Sequence, residues 1–449
     1  MRKKAGRVFG CFLLTLMAVA DRGCLAQGVA PRPLTLKQAV ELALGPDGNA
    51  RARLARQAVE IAGARASQAR ASLLPNLDAS VSEQNQTRNL AALGIRISAP
   101  IPGFSFPELV GPFSVFDARA TLSQSLLDFA AIKRFEAARS AVRSAVSERD
   151  NAAELVMGEV TRDYLLAWQA QSRVETIRAS VQLAQALLEL AEDQKSAGTG
   201  TGIEVTRARV QLANERQRLL VAENQFRAAE LRLLKAIGLK LSDRLQLTEN
   251  FGYEPVRSNL EEALARAKSS RADLQAQRRR EETARLNYTA VKWERLPSLS
   301  GFADYGAIGT NPGGALATRS FGVSLRLPIF DGGRRDARRA ENRTLLEQER
   351  VRTADLEDEI EMEVRVALDN LQSAEQQVQV AEEGVRLADA EMAQARRRYQ
   401  AGVTTSLEVT DAQTRVERAQ DNRIAAVFNF QLARVELGLA TGTIEDLLK

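Results

Sequence analysis

The sequence predicts an α+β membrane protein made of two similar halves, each with a pair of amphipathic β-strands followed by a hairpin of very long helices. Three observations indicate this: an internal repeat, two long tracts without proline, and four segments in which apolar and polar residues alternate. The repeat is clearest where residues 197–208 (AGTGTGIEVTRA) recur as residues 401–412 (AGVTTSLEVTDA), with seven of twelve positions identical. A duplication on this scale predicts the same supersecondary unit in each half.

The first 26 residues predict an export signal. Four basic residues among the first seven precede a mostly apolar stretch, residues 8–20. An uncleaved anchor is the alternative, although this stretch is short for a membrane-spanning helix. Small residues offer cleavage after Ala20 or after Ala26. Cys24 raises the question of lipidation, against which the two charged residues before it argue.

Charge and composition exclude several classes of protein. The whole chain has a net charge of +5, but the first 26 residues contribute five basic residues and one acid, which leaves the remainder near +1. Nucleic-acid binding therefore loses its support. Both cysteines, Cys11 and Cys24, lie in the predicted signal, and the chain has no histidine. Zinc sites of Cys and His and histidine-based catalysis are excluded, so we expect neither an enzyme nor a cofactor nor a metal site.

Proline placement predicts the long helices. The 12 prolines leave two tracts free, 113–254 and 329–449, although proline inside a helix costs about 3 kcal/mol. Apolar residues in these tracts recur at alternating spacings of three and four, which is typical of coiled coils. Gly198 and Gly402 interrupt the tracts and suit helix C-termini. The predicted hairpins span residues 128–238 and 332–440, and the first helix of each would be roughly 100 Å long at ~1.5 Å per residue.

Alternation of apolar and polar residues predicts four strands. Phe321, Val323 and Leu325, for example, alternate with glycine, serine and arginine. Strands of this length cross a membrane when tilted. A soluble hairpin with one wet face is the alternative for any single segment, but the pairing of the strands by the repeat favours a membrane. The predicted strands cover residues of about 77–93, 113–126, 298–308 and 317–329.

The predicted division of the chain follows from these elements. The first loop between strands, 94–112, is rich in Pro and Phe, and we expect it at the surface. The units are a signal peptide (1–26), a first repeat (27–238), a linker (239–258) and a second repeat (259–449).

The strands impose a requirement on the assembly. A sheet edge left unpaired in hydrocarbon is too costly, so lipid-crossing strands must close into a barrel. Four strands are too few, since the smallest membrane barrels have about eight. Neighbouring chains must complete the barrel, as a dimer of eight strands or a trimer of twelve. The helices would then continue it as a tube.

Several motifs of the chain, in their order and spacing, resemble those of a known family. The doubled strand–helix unit, the junction 327–333 (LPIFDGG) and the tip from Tyr399 to Val409 resemble the TolC family of outer-membrane efflux proteins, over about residues 35–442. The resemblance implies a homotrimer with a 12-stranded outer-membrane barrel and an α-helical periplasmic tunnel. It also implies an exit duct that joins a periplasmic adaptor (membrane fusion) protein and an inner-membrane transporter of the RND, ABC or MFS type.

Two acids are the first candidate functional residues. Glu408 and Asp411 lie three residues apart near the start of the last long helix, so they share a face. By themselves they are common helix-N-terminal acids that complement the macrodipole. The resemblance places the matching positions around the periplasmic entrance, where three chains would present six carboxylates and favour cations.

The resemblance also implies links between helices that close this entrance. Tyr399 matches the family's tyrosine, and Glu204 is the acid of the first repeat. Thr404 stands where the best-known members have arginine, so the usual acid–arginine link is absent in that form. Arg207, opposite Asp411 in the repeat, is a possible substitute in a pair with an acid; two solvated charges are the alternative.

The small residues at the two tips are the last candidates. We expect an adaptor's helical hairpin to dock there, because small residues let backbones approach closely, although simple turns would have the same composition. The residues are Gly198, Thr199, Gly200, Gly402 and Val403.

Two further classes stay open. Within the duct class, export of small molecules such as drugs, toxic compounds or metals is preferred over type I protein secretion. A soluble periplasmic coiled-coil adaptor would explain the helices and the signal but not four paired strands.

Overall fold

The structure is a computed structural model that describes residues 32–95, 107–255 and 259–448. The predicted signal peptide, most of the loop rich in Pro and Phe, and the end of the predicted linker lie outside the described residues.

Two long helical hairpins dominate the described part of the chain. Their first helices have 68 and 67 residues, and both return helices have 36. The helices are α1 (Leu36–Leu44), α2 (Ala50–Ala71), α3 (Phe129–Ser196), α4 (Gly202–Ile237), α5 (Leu260–Ser270), α6 (Ala272–Trp293), α7 (Arg334–Gln400) and α8 (Ser406–Thr441). The strands are β1 (Arg32–Leu34), β2 (Asn76–Asn89), β3 (Leu109–Leu127), β4 (Leu245–Leu247), β5 (Ser298–Gly309) and β6 (Leu316–Arg326).

Four antiparallel strands form one sheet in the order β2-β3-β5-β6. Leu122 pairs with Leu77 on one side and with Ala303 on the other, so this row of the sheet is apolar. The next row joins Thr121 to Asp78 and Asp304 and is polar. Alternate rows therefore separate an apolar face from a polar one. The outer edges of β2 and β6 pair with no strand of the described chain.

The apolar face of the sheet is open to the surroundings. Phe321 is 83% exposed and Val81 is 73% exposed. On the opposite face, Arg119 lies 2.6 Å from Asp117 and 3.6 Å from Asp304. Charged side chains thus satisfy one another on one side of the sheet, while large apolar side chains on the other side have no covering from this chain.

Two strands end earlier than the alternation predicts. β6 ends at Arg326 because the residues that follow include Pro328, which has no amide hydrogen to pair. β2 ends at Asn89 and is followed by a 3₁₀ turn, Ala91–Leu93. The other strand of this pair, β3, begins at Leu109, four residues before the predicted start.

The helices continue the sheet in the same order. α3 packs against α2 and α6, and α6 packs against α7. Each of these four helices lies next in sequence to one strand of the sheet, α2 to β2, α3 to β3, α6 to β5 and α7 to β6. The result is a four-helix layer that extends the four-stranded sheet without a change of neighbours.

The main hydrophobic core lies where the two hairpins meet. β1 pairs in parallel with β4, which falls inside the predicted linker. Tyr164 is fully buried, donates a hydrogen bond to the carbonyl oxygen of Leu34 (2.8 Å) and meets Phe251 edge to face. Tyr253 meets Phe430 in the same way. The segment between the halves is therefore part of the core, because its aromatic residues fill the space between α3 and α8.

A partly buried arginine joins α6, α7 and α8 of the second half beside a cavity of about 400 Å³. Arg271 lies 2.6 Å from Asp273, pairs with Glu363 on α7, and donates to the carbonyl oxygen of Ala440. Glu154, on α3, lines the same cavity. Burial, with the nearby charge of Asp273, raises the pKa of Glu154 to about 7.

Glu154→Gln should stabilise the protein at alkaline pH and not at acidic pH. In the folded protein the carboxyl group of Glu154 keeps its proton up to about pH 7, whereas its ordinary pKa is 4.5. The stability contributed by the proton is therefore full below pH 4.5 and lost as the pH rises through 7. Because Glu154 is partly exposed, we expect a gain of roughly 1–2 kcal/mol at pH 8. Thermal unfolding between pH 4.5 and 8 measures it; Glu175→Gln, an exposed change on α3, is the control. Equal curves for Glu154→Gln and the parent would contradict the assignment.

Candidate functional site at the helical tips

Both tips end their first helix in the same hydrogen-bonded turn. At the first tip the amide of Gly198 donates to the carbonyl oxygen of Lys195 (3.1 Å) and that of Thr199 to Gln194 (2.9 Å). This is the Schellman pattern, which needs a left-handed residue, and Gly198 has φ +76°. Gly402 (φ +68°) and Val403 repeat it at the second tip. An added Cβ at Gly198 or Gly402 would meet no atom within 4 Å, so the tips are open.

Gly200 has a different role from the two turn glycines. A Cβ there would lie 3.0 Å from the Cβ of Gln194 and from the amide nitrogen of Lys195. Its amide also donates to the carbonyl oxygen of Gln194 (2.9 Å). The first tip is therefore folded tightly back on the end of α3, and a side chain at this position would push it away.

The structure places Glu408 in contact with the other helix of its own hairpin. Its carboxylate lies 3.1 Å from Nε of Arg398, in the last turn of α7, and accepts a hydrogen bond from the hydroxyl of Thr404. Asp411 is exposed, and the described residues give it no hydrogen bond or ion pair. The two acids are thus unequal, because one negative charge is offset locally and the other is free.

Tyr399 links the two hairpins. Its side chain is 5% exposed and packs with Met392 and Val409, while its hydroxyl donates to Oε1 of Gln194 on α3 (3.1 Å). Burial, and then the nearby charge of Glu204, raise the pKa of Tyr399 above its ordinary value. The tyrosine therefore stays a neutral hydrogen-bond donor at physiological pH.

Glu204 and Arg207 on α4 differ in that the first has a hydrogen-bond partner within the described chain and the second has no ion-pair partner there. The carboxylate of Glu204 accepts a hydrogen bond from the amide of Thr201 (3.2 Å), which caps the helix. Arg207 is exposed and has no carboxylate within ion-pair distance in the described chain. Both line a groove of about 320 Å³ between the hairpins, with Ile203 and Leu407 on its rim. The pair between Arg207 and an acid is not formed within this chain.

A second connection between the hairpins lies farther from the tips. Arg218 on α4 lies 3.0 Å from Glu215 of its own helix and also pairs with Glu417 on α8. Gln413 donates to Glu417 (3.1 Å). Burial, with the charge of Glu417, raises the pKa of Glu215. A buried carboxylate pair bridged by one arginine is costly to break, because removing the arginine leaves two buried charges.

Three of the contacts at the tips and farther along the hairpins use partners that the sequence did not predict. Gln194 faces Tyr399 from a position 205 residues away, and a lone glutamine in a helix gives no signal of its partner. Arg398 belongs to a run of three arginines at the end of α7, where the helix dipole already accounts for cations. Arg218 on α4 and Gln413 on α8 both bind Glu417, and spacing alone predicts no contact between these two helices.

With this geometry in place, the comparisons with known proteins identify the family. The model of the family described as outer membrane efflux protein matches residues 49–239 and 263–443. The chain belongs to this family of TolC-like outer membrane factors, and the predicted location in the outer membrane is confirmed.

Named relatives agree with this assignment. The chain is 26% identical over 345 residues to the pyoverdine export outer membrane protein OpmQ of Pseudomonas putida, over 73% of this chain and 70% of that one. It is 25% identical over 337 residues to the alkaline protease secretion protein AprF of Pseudomonas aeruginosa, over 73% and 69%. The fold is that of the CmeC outer membrane channel of Campylobacter jejuni, with a TM-score of 0.77, 18% identity, and coverage of 91% and 86%.

Two further findings bear on the site. Among the residues that the structure describes, none of the helices combines the length and hydrophobicity needed to cross a membrane. The same residues contain no group of three or more Asp, Glu, His or Cys placed to hold a metal ion.

Tyr399→Phe should loosen the tips. The change removes the hydrogen bond to Gln194, a loss of about 1 kcal/mol, or roughly fivefold in local opening. Native-state hydrogen exchange of the amides in the turns after α3 and α7 measures it. Tyr253→Phe is the matched control, since its hydroxyl meets only the exposed Gln379 at 3.4 Å. Unchanged protection at both tips in Tyr399→Phe would show that this bond does not hold the hairpins together.

Proposed function

We propose that this chain is the exit duct of a tripartite efflux pump, a homotrimer that carries small molecules across the outer membrane. The main support is the continuity of the sheet with the long helices. A four-stranded sheet with an exposed apolar face and two free edges is continuous with a four-helix layer, and that layer is continuous with hairpins of 36 or more residues per arm. A wall of this kind serves as a segment of a cylinder that other copies complete.

The sheet supports a barrel shared by three chains. Its apolar face suits lipid and its polar face suits a water-filled lumen. Three copies give twelve strands, with β6 of each pairing with β2 of the next, so that every edge is satisfied. The two repeats then form six similar strand pairs around the barrel.

The long helices support a periplasmic tunnel. α3 and α7 extend about 100 Å from the sheet at ~1.5 Å per residue. This length takes the tips far into the periplasm, where an adaptor protein and an inner-membrane transporter would meet them. The groove at the tips, with its exposed Ile203 and Leu407, offers the adaptor an apolar contact.

Cargo is proposed from the named relatives. OpmQ is named for pyoverdine export, and AprF is named for alkaline protease secretion. The identities to the two are nearly equal, so type I protein secretion is the second candidate. We prefer small molecules, because efflux is the activity for which the family is described.

The purified protein should open cation-selective pores in planar bilayers, and the tip acids should set that selectivity. Because Arg398 offsets Glu408, we expect Asp411→Ala to lower the cation-to-anion permeability ratio more than Glu408→Ala does. The double variant should bring the ratio close to one. Glu175→Ala, an exposed acid on α3, is the control. A protein that forms no pore, or crosslinks only as a monomer, would overturn the duct; a selective double variant would overturn the role of the acids alone.

Side chains added at the tips should block docking of the adaptor. Gly198→Asn and Gly402→Asn keep a residue type that tolerates left-handed φ, so the turns should still form. Each adds a side chain where small residues leave the surface open. We expect a loss of adaptor co-purification and of efflux, while bilayer conductance is retained. Gly384→Asn, inside α7 and about 24 Å from its end at ~1.5 Å per residue, is the control. Intact efflux in the double tip variant would place the docking surface elsewhere.

A further inference from the structure

A cluster of cations lies on the helical layer just below the sheet. Arg339, Lys292 and Arg343 surround the hydroxyl group of Tyr288, and their positive charges, above all that of Arg339, lower the pKa of Tyr288 below its ordinary value. Arg285, one turn before Tyr288, is also exposed. We call these residues the basic patch: Arg285, Tyr288, Lys292, Arg339 and Arg343.

The cations of the basic patch have no acidic partners in the described chain. Of the nearby carboxylates, Asp336 pairs with Arg295, Glu281 lies 3.8 Å from Arg350, and the exposed Glu341 forms no ion pair with the described residues. The described residues place no carboxylate within ion-pair distance of the four patch cations.

The first ten residues of α7, 334–343, contain five arginines and two acids. Two of these arginines pair with acids outside this stretch, Arg335 with Asp331 and Arg338 with Glu294. Arg339 and Arg343 have no such partner in the described chain.

The basic patch lies close to the end of the sheet. Arg339 and Arg343 are five and nine residues into α7, or about 8 and 14 Å along its axis. Lys292 is in the last turn of α6, six residues before β5 begins. The polar zone of a bilayer adds about 5–8 Å on each side of the hydrocarbon core, so Lys292 and Arg339 lie nearest to headgroup depth. Arg343 lies one turn farther from the sheet, and its long side chain can reach back toward the same zone.

The basic patch lies on a different face of the helical layer from a large groove. This groove, of about 800 Å³, runs across one face and touches all four helices, with Ala62, Ala141, Ala284 and Asn342 among its walls. None of the patch residues lines this groove. In the proposed tunnel the face with the groove, lined largely by small side chains, would face the lumen. The basic patch would then face outward, on the same side as lipid.

From this placement we infer that the basic patch binds the anionic phosphate headgroups of phospholipids in the periplasmic leaflet of the outer membrane. Arginine and lysine supply the charge, and the Tyr288 hydroxyl, beside Arg339, supplies a polar contact at the same depth. Each cation near an anionic surface contributes about fivefold to affinity. The inference rests on the proposed barrel, because the barrel determines where the leaflet lies.

Binding of phosphatidylglycerol by the full chain in neutral detergent tests the inference, with phosphatidylcholine as the uncharged comparison. The shift in the thermal unfolding midpoint with lipid concentration gives an apparent affinity for each lipid. We expect the parent to prefer phosphatidylglycerol and to lose the preference at high salt. Lys292→Gln/Arg339→Gln/Arg343→Gln should weaken phosphatidylglycerol binding about a hundredfold at low salt. Arg386→Gln/Arg418→Gln/Arg423→Gln removes the same charge from exposed sites far along α7 and α8 and should bind as the parent does.

Three results of the lipid-binding experiment would overturn the inference. A patch variant that still prefers phosphatidylglycerol, or a control variant that loses the preference equally, overturns the inference. Inorganic phosphate that gives the same midpoint shift at equal concentration also overturns it, since the site would then bind free phosphate. Bilayer recordings separate this failure from failure of the duct: pores without a lipid preference reject the basic patch alone, whereas absence of pores rejects the proposed function.

Discussion

A backbone amide or carbonyl has no partner in hydrocarbon, and the sheet of this chain has two edges where such groups are free. This constraint connects most of the architecture. In the proposed barrel the apolar face of the sheet would meet lipid, and the free edges of β2 and β6 would pair with neighbouring chains. The helices that extend the strands follow the order of the sheet. The pairing of strands thus determines which helices are neighbours for about 100 Å below it.

Polar contacts in two regions fix the register of the helices against one another. Tyr164, in the core between the halves, and Arg271, within the second half, each donate to a backbone carbonyl of a segment far away in sequence. Nearer the tips, the Arg218–Glu417 pair and the Tyr399–Gln194 hydrogen bond join the hairpins. Coiled-coil packing by itself allows helices to slide, because apolar contacts are not directional. Directional polar contacts at intervals fix the register of one hairpin against the other.

Charged side chains without partners among the described residues include two groups on the helices, one at the tips and one next to the sheet. The unpaired charges at the tips of the described hairpins include both Asp411 and Arg207. At the end of α6 and the start of α7, the cations of the basic patch have no carboxylate within ion-pair distance in the described chain. Asp411 suits the proposed entrance that favours cations, and the basic patch suits the proposed edge of an anionic leaflet.

The sequence by itself determined the features that depend on local periodicity. Alternation predicted four strands close to the observed β2, β3, β5 and β6, and the spacing of apolar residues predicted the long helices and their glycine turns. These patterns are local, so a single chain displays them. The signal was weaker where strands end, as at Pro328, since the repeat of apolar residues continues past the last paired amide.

Only the tertiary structure decided which side chains meet. Tyr399 could be recognised as a candidate, but its partner Gln194 lies 205 residues away. Glu408 was predicted as an acid of the entrance, and the fold of the tip brings Arg398 to it, a contact that the sequence did not predict. The segment between the halves was predicted as a linker, yet β4 and Phe251 belong to the core. Contacts between distant residues depend on how helices cross and curve, and periodicity along one helix contains no information about that.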